Sequence, residues 1–147
     1  GFNVATHTAL GHYTHEKNPV ACAAGLATLD VIRDEGLVAH AERLGEHALG
    51  RLRGLKARHP LVGDVRGRGL LLGVELVDLP ARDGRPAVKA SDAAERIMYG
   101  ALSRGLNFKV TMGTILTLTP ALVLTAAEMD QAIDILDQCL TEVESPG

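Results

Sequence analysis

The stretch "HPLVGDVRGRGLLLGVELV", residues 59–77, holds two strand-like runs, "VGDVRG" and "LLLGVELV", after a proline that ends the preceding element. Gly67 and Gly69 flank Arg68. The backbone there is expected to bend or to approach a neighbour closely.

Two helices are expected upstream. Leu37, Ala41, Leu44, Ala48, Leu52 and Leu55 recur at intervals of three and four over about 37–58, with Glu42, Arg43, Glu46, Arg51, Arg53 and Lys56 on the other side. This is a helix with one apolar stripe. Before it, Asn18 and Pro19 form a good N-cap and first position, and the helix they open runs to about Glu35 and stops at Gly36. Apolar residues cover nearly every face of that first helix. A helix apolar all round is expected to be buried all round, so a partner surface should cover part of it.

Downstream, "DLPARDGRPAVKA" (78–90) reads as loop. Ser91 is expected to cap a third helix that runs to about Arg104 and is closed by Gly105. "NFKV", a turn at Met112-Gly113 and "TILTLTPALVLT" then read as strands. Thr125 with Glu128 makes a capping box for a last helix, whose stripe is Met129, Ile133, Leu136, Leu140 and Val143. The order predicts an α+β fold with a mostly antiparallel sheet and helices packed on one side.

The chain has 147 residues, 46% hydrophobic and 22% charged, with a net charge of −3. Slight negative charge and scarce aromatics give no reason to expect nucleic acid or an anionic membrane as partner. No apolar run approaches membrane-spanning length, and no secretory signal is visible. Cys22 and Cys139 sit in apolar helical patterns and read as small buried residues in a reducing, cytoplasmic setting. The chain begins at Gly1 in a polar stretch without an initiator Met, so it is expected to be a piece of something longer.

"GHYTHEKNPVACAAG", residues 11–25, crowds His12, Thr14, His15, Glu16, Lys17 and Asn18 against the first helix. His7, His12 and His15 give H-x4-H-x2-H, which is not a finger spacing and has no nearby Cys, so a polar loop is the better reading than a metal site. The cap accounts for Asn18 but not for Thr14. A helix N-terminus that holds an anion, with the Thr14 hydroxyl donating, accounts for more. His40, His47 and His59 fall on helix surfaces or ends and need no special role.

Thr14 to Ile32 (T-x-x-x-N-P-V-A-C-A-A-G-L-A-T-L-D-V-I) resembles the segment after the cofactor lysine in class III aminotransferases, pyridoxal-phosphate enzymes of fold type I. The resemblance continues through residues 59–77 and reaches the end in "GTILTLTPALVLTAAEMDQAIDILD". It implies a C-terminal portion of such an enzyme: residues 1–36 lead out of the large cofactor domain, and 37–147 form the small domain. It implies pyridoxal 5'-phosphate as cofactor, an amine and an oxo acid as substrates, and a homodimer in which Thr14 binds the cofactor phosphate of the neighbouring subunit.

The sequence departs from the family just after Thr14. His15, Glu16 and Lys17 stand where Tyr/Phe-Gly-Gly is usual, so the path of that loop is open. "HYTHEK" is similar to a subgroup associated with amine-releasing lyases acting on aminophosphonates. Lys17, Lys56, Lys89 and Lys109 do not match the motif of the Schiff-base lysine, so no catalytic residue is expected in this chain and it is expected to be inactive alone. A non-catalytic binding or assembly module is the alternative from another class.

Arg66 and Arg68 are expected to serve structure, on a strand and turn. Lys109 is expected to be a solvated lysine, although its strand is one from which a side chain can reach an active-site mouth. Many family members grip the substrate carboxylate with an Arg in a strand of the form Ile-Ile-Arg-Phe-x-Pro-Pro-Leu. The matching residues run from Ile115 to Leu122, with Thr117 at the Arg position. Thr117 is thus the expected substrate-binding position, and an ordinary α-carboxylate is not the expected ligand.

Overall fold

The computed structural model describes residues 18–78 and 88–145, together with the backbone of 4–5, 8–9 and 79. The chain divides into two compact units, Gly1–Leu37 and Val38–Gly147.

In the first unit, β1 (Val4–Ala5) pairs antiparallel with β2 (Thr8–Ala9), and α1 spans Pro19–Asp34. The Asn18 side chain accepts hydrogen bonds from the backbone N–H of Val20 (2.9 Å) and Ala21 (3.4 Å), as the cap reading requires. Gly36 takes φ +63°, the left-handed conformation in which a helix commonly stops. Burial all round is not reached within this chain, and the expected partner surface would lie outside it. No residue of α1 is buried, and Cys22 is exposed with the rest. Periodicity reports which faces are apolar, whereas burial also requires a surface to cover them.

The second unit contains α2 (Leu37–Arg58, whose first residue belongs to the other unit), β3 (Val62–Arg68), β4 (Leu71–Leu79), β5 (Val88–Lys89), α3 (Ser91–Ser103), β6 (Lys109–Thr111), β7 (Ile115–Leu118) and α4 (Ala126–Glu144). The sheet order is β3-β4-β7-β6, with β5 also pairing β4, and each of these pairings is antiparallel. This is the expected α+β arrangement.

The stretch 59–77 folds as the hairpin β3–β4. Gly69, at φ +53°, opens its two-residue turn, a conformation that side chains resist. Gly69 also meets α2: a Cβ on Gly45 would lie 2.3 Å from the Gly69 carbonyl oxygen and 2.7 Å from its Cα. Helix and turn therefore touch backbone to backbone, the close approach that the glycine spacing predicts. A bulge at Gly63 lets Val62 face Leu76 and Val65 face Val74, so both valines point into the core.

One face of the sheet carries Val62, Val65, Leu72, Val74, Leu76, Leu116 and Leu118 into a core with α2, α3 and α4. Leu44, Leu52 and Leu55 come from α2, and Ala94, Ile97 and Ala101 from α3. From α4 come Met129, Ile133, Leu136, Cys139 and Leu140. Each fully buried Leu or Ile contributes about 1.5–3 kcal/mol. Burial of Cys139 agrees with its sequence reading and pushes its thiol pKa up.

Three local expectations need correction. Ser91 is the first helical residue of α3, and the N-cap is Ala90, which makes no side-chain cap bond. Ala90 is buried, and an apolar core position excludes the polar side chain that a cap requires. The run 114–125 is strand only to Leu118, since Pro120 has no N–H to give a ladder. The start and end of 78–90 are strand rather than loop, in β4 and β5. The Thr125–Glu128 capping box is present, with the Glu128 carboxylate 2.8 Å from the Thr125 backbone N.

Candidate functional site

The face of the sheet opposite the core is built from the alternate residues of the same strands, and among the described residues no helix of this unit lies over it. The ladder sets these residues in rows across the strands. Arg66 pairs with Gly73, Gly73 with Thr117, and Thr117 with Lys109. Adjacent strands lie about 4.8 Å apart, so the row runs about 14 Å, backbone to backbone, from Arg66 to Lys109. The neighbouring row is Asp64, Glu75, Ile115 and Thr111.

Gly73 leaves a gap in the first row. A Cβ there would lie 3.3 Å from Ile115 Cγ2 and 4.0 Å from Arg66 Cγ. The gap forms the floor of a groove of about 400 Å³ lined by Arg66, Arg68, Leu71, Ile115 and Thr117 among others. Leu71 at its rim is 61% exposed.

Charge in the groove is organised around Arg66. Its Nη1 donates to Asp64 Oδ2 and to Glu75 Oε2, both at 2.7 Å. These bonds raise the Arg66 pKa above its ordinary value, and the Arg66 guanidinium holds the Asp64 carboxyl below the usual range. Lys56 stands 3.9 Å from Asp64. Among the described residues, Nε and Nη2 of Arg66 have no acceptor, and neither Arg68 nor Lys109 makes an ion pair. The groove itself is lined by two cations, Arg66 and Arg68, and, among the described residues, by no carboxylate, which leaves it net positive.

Thr117 is half-buried in this groove, and its hydroxyl is 2.7 Å from that of Thr111. Thr14 and Lys17, like His7, His12 and His15, lie outside the described residues. Lys89 is exposed on β5, and Lys56 lies on α2. The structure thus brings Thr117 into one groove with Arg66 and Arg68, with Lys109 beside it in the ladder, sites that the sequence reading took separately. The missing signal was register: only the strand pairing sets the two arginines of β3 beside Thr117 and Lys109.

A second polar cluster was also missed. His59, at the C-terminal end of α2, is only 6% exposed. Its Nδ1 and Nε2 each lie 2.6 Å from a carboxylate of α4, Glu144 and Asp137 respectively. Glu144 also accepts from the Leu61 backbone N–H at 3.0 Å, and Arg58 donates to Asp137 at 2.7 Å. Burial alone would lower the His59 pKa, but the two carboxylates outweigh it, and the pKa stands above 6.5. Its helix-end position agrees with the sequence reading, whereas its burial between two carboxylates does not.

Comparison with known proteins places this geometry. The chain is 39% identical over 142 residues to the (R)-1-hydroxy-2-aminoethylphosphonate ammonia-lyase of Vibrio splendidus, covering 97% of this chain and 29% of that protein. It is 41% identical over 133 residues to the isoleucine 2-epimerase of Lentilactobacillus buchneri, covering 90% of this chain and 29% of that one. Among solved structures, an amine transaminase from an uncultivated Pseudomonas species, in its PLP-bound form, superposes with a TM-score of 0.80 at 31% identity, over 90% of this chain and 30% of that one. The chain therefore spans less than a third of the length of these relatives. The pattern of the family described as aminotransferase class-III matches residues 3–140, and the chain belongs to that family.

Proposed function

We propose that this chain is the substrate-side portion of a pyridoxal-phosphate enzyme that transfers an amino group between an amine or amino acid and an oxo acid. The observation that carries the reading is Thr117, in a groove on the open sheet face, at the position where many family members have a carboxylate-gripping Arg. Arg offers a planar fork and a fixed charge, whereas Thr offers one hydroxyl. Each charge-assisted bond lost costs about 1.5–3 kcal/mol, tenfold or more in affinity. The preferred amine thus has its acidic group absent, or placed otherwise than in an α-amino acid.

The described open face does not by itself fit the cofactor. Such a site needs a lysine for attachment and an acidic or Arg partner for the pyridine nitrogen, and both carboxylates of this face are already bound by Arg66. We place the lysine in the rest of the protein and give Thr14 the cofactor phosphate of the neighbouring subunit in a homodimer, in the cytoplasm. When bound, pyridoxal phosphate supplies an electron sink at the amine carbon. The residues of this chain bind and orient the amine.

A second reading, an ammonia-lyase acting on an aminophosphonate-type amine, is favoured by the relative of that activity at 39% identity. The test is to supply the PLP-loaded full-length protein with alanine, glutamate, 4-aminobutyrate and 2-aminoethylphosphonate-type amines, with and without an oxo acid. Amine loss that requires the oxo acid supports transfer, and free ammonia without it supports the lyase. If an ordinary α-amino acid reacts best and Thr117→Arg brings no improvement, the role given to Thr117 is wrong. A full-length protein that converts no amine is a binding or assembly module instead.

A further inference from the structure

We propose that the groove over Gly73 is a subsite for the distal oxyanion of the amine substrate, with Arg66 supplying the binding fork and Arg68 the flanking charge. The inference rests on the reading above and assigns the acidic group a place on this chain.

Arg66 is held rather than free. Asp64 and Glu75 both take the same nitrogen, Nη1, each at 2.7 Å. Two carboxylates on one end of a guanidinium fix its orientation. They leave Nε and Nη2 without an acceptor among the described residues, and these two N–H groups form one edge of the planar fork that matches a carboxylate, sulfonate or phosphonate. A long side chain ordered before the ligand arrives loses less entropy on binding than a mobile surface arginine.

The groove gives the fork something to face. Gly73, next to Arg66 in the row, has no side chain to fill the space, and Thr117 beyond it offers a hydroxyl. Arg68 lines the same groove, and Lys109 closes the row on the far strand. Arg66 stands on β3, two strands from the Thr117 position, a lateral displacement of about 10 Å. An anion held by Arg66 therefore sits well away from where an Arg at 117 would hold an α-carboxylate. The subsite suits an amine whose acidic group is carried at a distance from the reacting carbon.

The test uses the PLP-loaded full-length protein, so that the cofactor fills its own phosphate site. Inorganic phosphate serves as a non-reacting probe by calorimetry. Steady-state kinetics compare 2-aminoethylphosphonate, taurine and β-alanine with a neutral amine, 2-phenylethylamine. Arg66→Gln is expected to weaken phosphate binding and raise KM for the anionic amines at least tenfold, leaving the neutral amine unchanged. Arg66→Lys, which keeps the charge but loses the fork, is expected to fall between. Gly73→Ala narrows the groove without altering charge and should show the same selectivity in weaker form.

The anion whose KM responds most identifies the acid the subsite takes. Equal losses for charged and neutral amines would mean that Arg66 only holds the strands together, and would overturn the proposal. So would phosphate binding and KM values that ignore Arg66→Gln. If the protein converts no amine, the functional reading fails while the phosphate titration still decides the subsite: binding tenfold weaker in Arg66→Gln upholds it, and equal binding rejects it.

Discussion

Leu116 and Thr117 are neighbours on β7 and point to opposite faces of the sheet. Toward the helices, Leu116 is completely buried among side chains of α2, α3 and α4, and fit decides what is allowed there. Toward the open face, Thr117 sits among charges with a hydroxyl for its nearest polar partner, and electrostatics decides. One strand thus serves two purposes, and consecutive residues should answer to different assays.

The strongest way to break this contrast is Leu116→Ala. A cavity in the packed layer should cost about 2–5 kcal/mol of unfolding free energy, read by urea denaturation. Thr117→Ala, one residue on, should stay within about 1 kcal/mol and show its effect in substrate KM. Similar losses of stability from both would mean that the two faces are not distinct.

His59 sharpens the contrast from the other side, because it is a titratable group on the packed side of the unit. Its pKa is raised in the folded state, so its contribution is complete below the ordinary value of 6.5 and is lost as pH rises through the folded value. His59→Gln should cost about 1–3 kcal/mol at pH 5.5. The gap between variant and parent should narrow as pH climbs past the folded pKa. A gap that widens with pH, or ignores it, would show that His59 is held neutral.

The smallest effect is expected at Thr114. It is fully buried, and its Oγ1 has no hydrogen-bond partner among the described residues. Thr114→Val removes a desolvated hydroxyl and keeps the shape, so it should stabilise by up to about 1 kcal/mol. A clear loss of stability would reveal a partner for that hydroxyl.

What the sequence disclosed divides along the same line. Local signals were legible: the cap at Asn18, the stop at Gly36, the turn at Met112-Gly113 and the Thr125–Glu128 box depend on residues a few positions apart. The stripe of α4 and the span of α2 were legible through periodicity. The open-face row was not, because Arg66, Gly73, Thr117 and Lys109 become neighbours only through register. Nor was the His59 cluster, whose carboxylates lie 78 and 85 residues away. The apolar pattern of α1 was legible, but not the surface that would cover it.

Gly63 gives the sheet a sense of odd and even. In an unbroken strand, Val62 would share a side with Asp64 and Arg66, and Val65 would stand alone on the other. The spare residue resets the count, placing both valines on one side and both charges on the other. A change of length can therefore do what no change of chemistry at Arg66 does. Deleting Gly63 pits Val62 against Arg66 for the same side, and any shift that restores the valine turns the guanidinium toward the oil. Insertions of two residues keep the count, and insertions of one invert it. In this hairpin, spelling matters less than spacing.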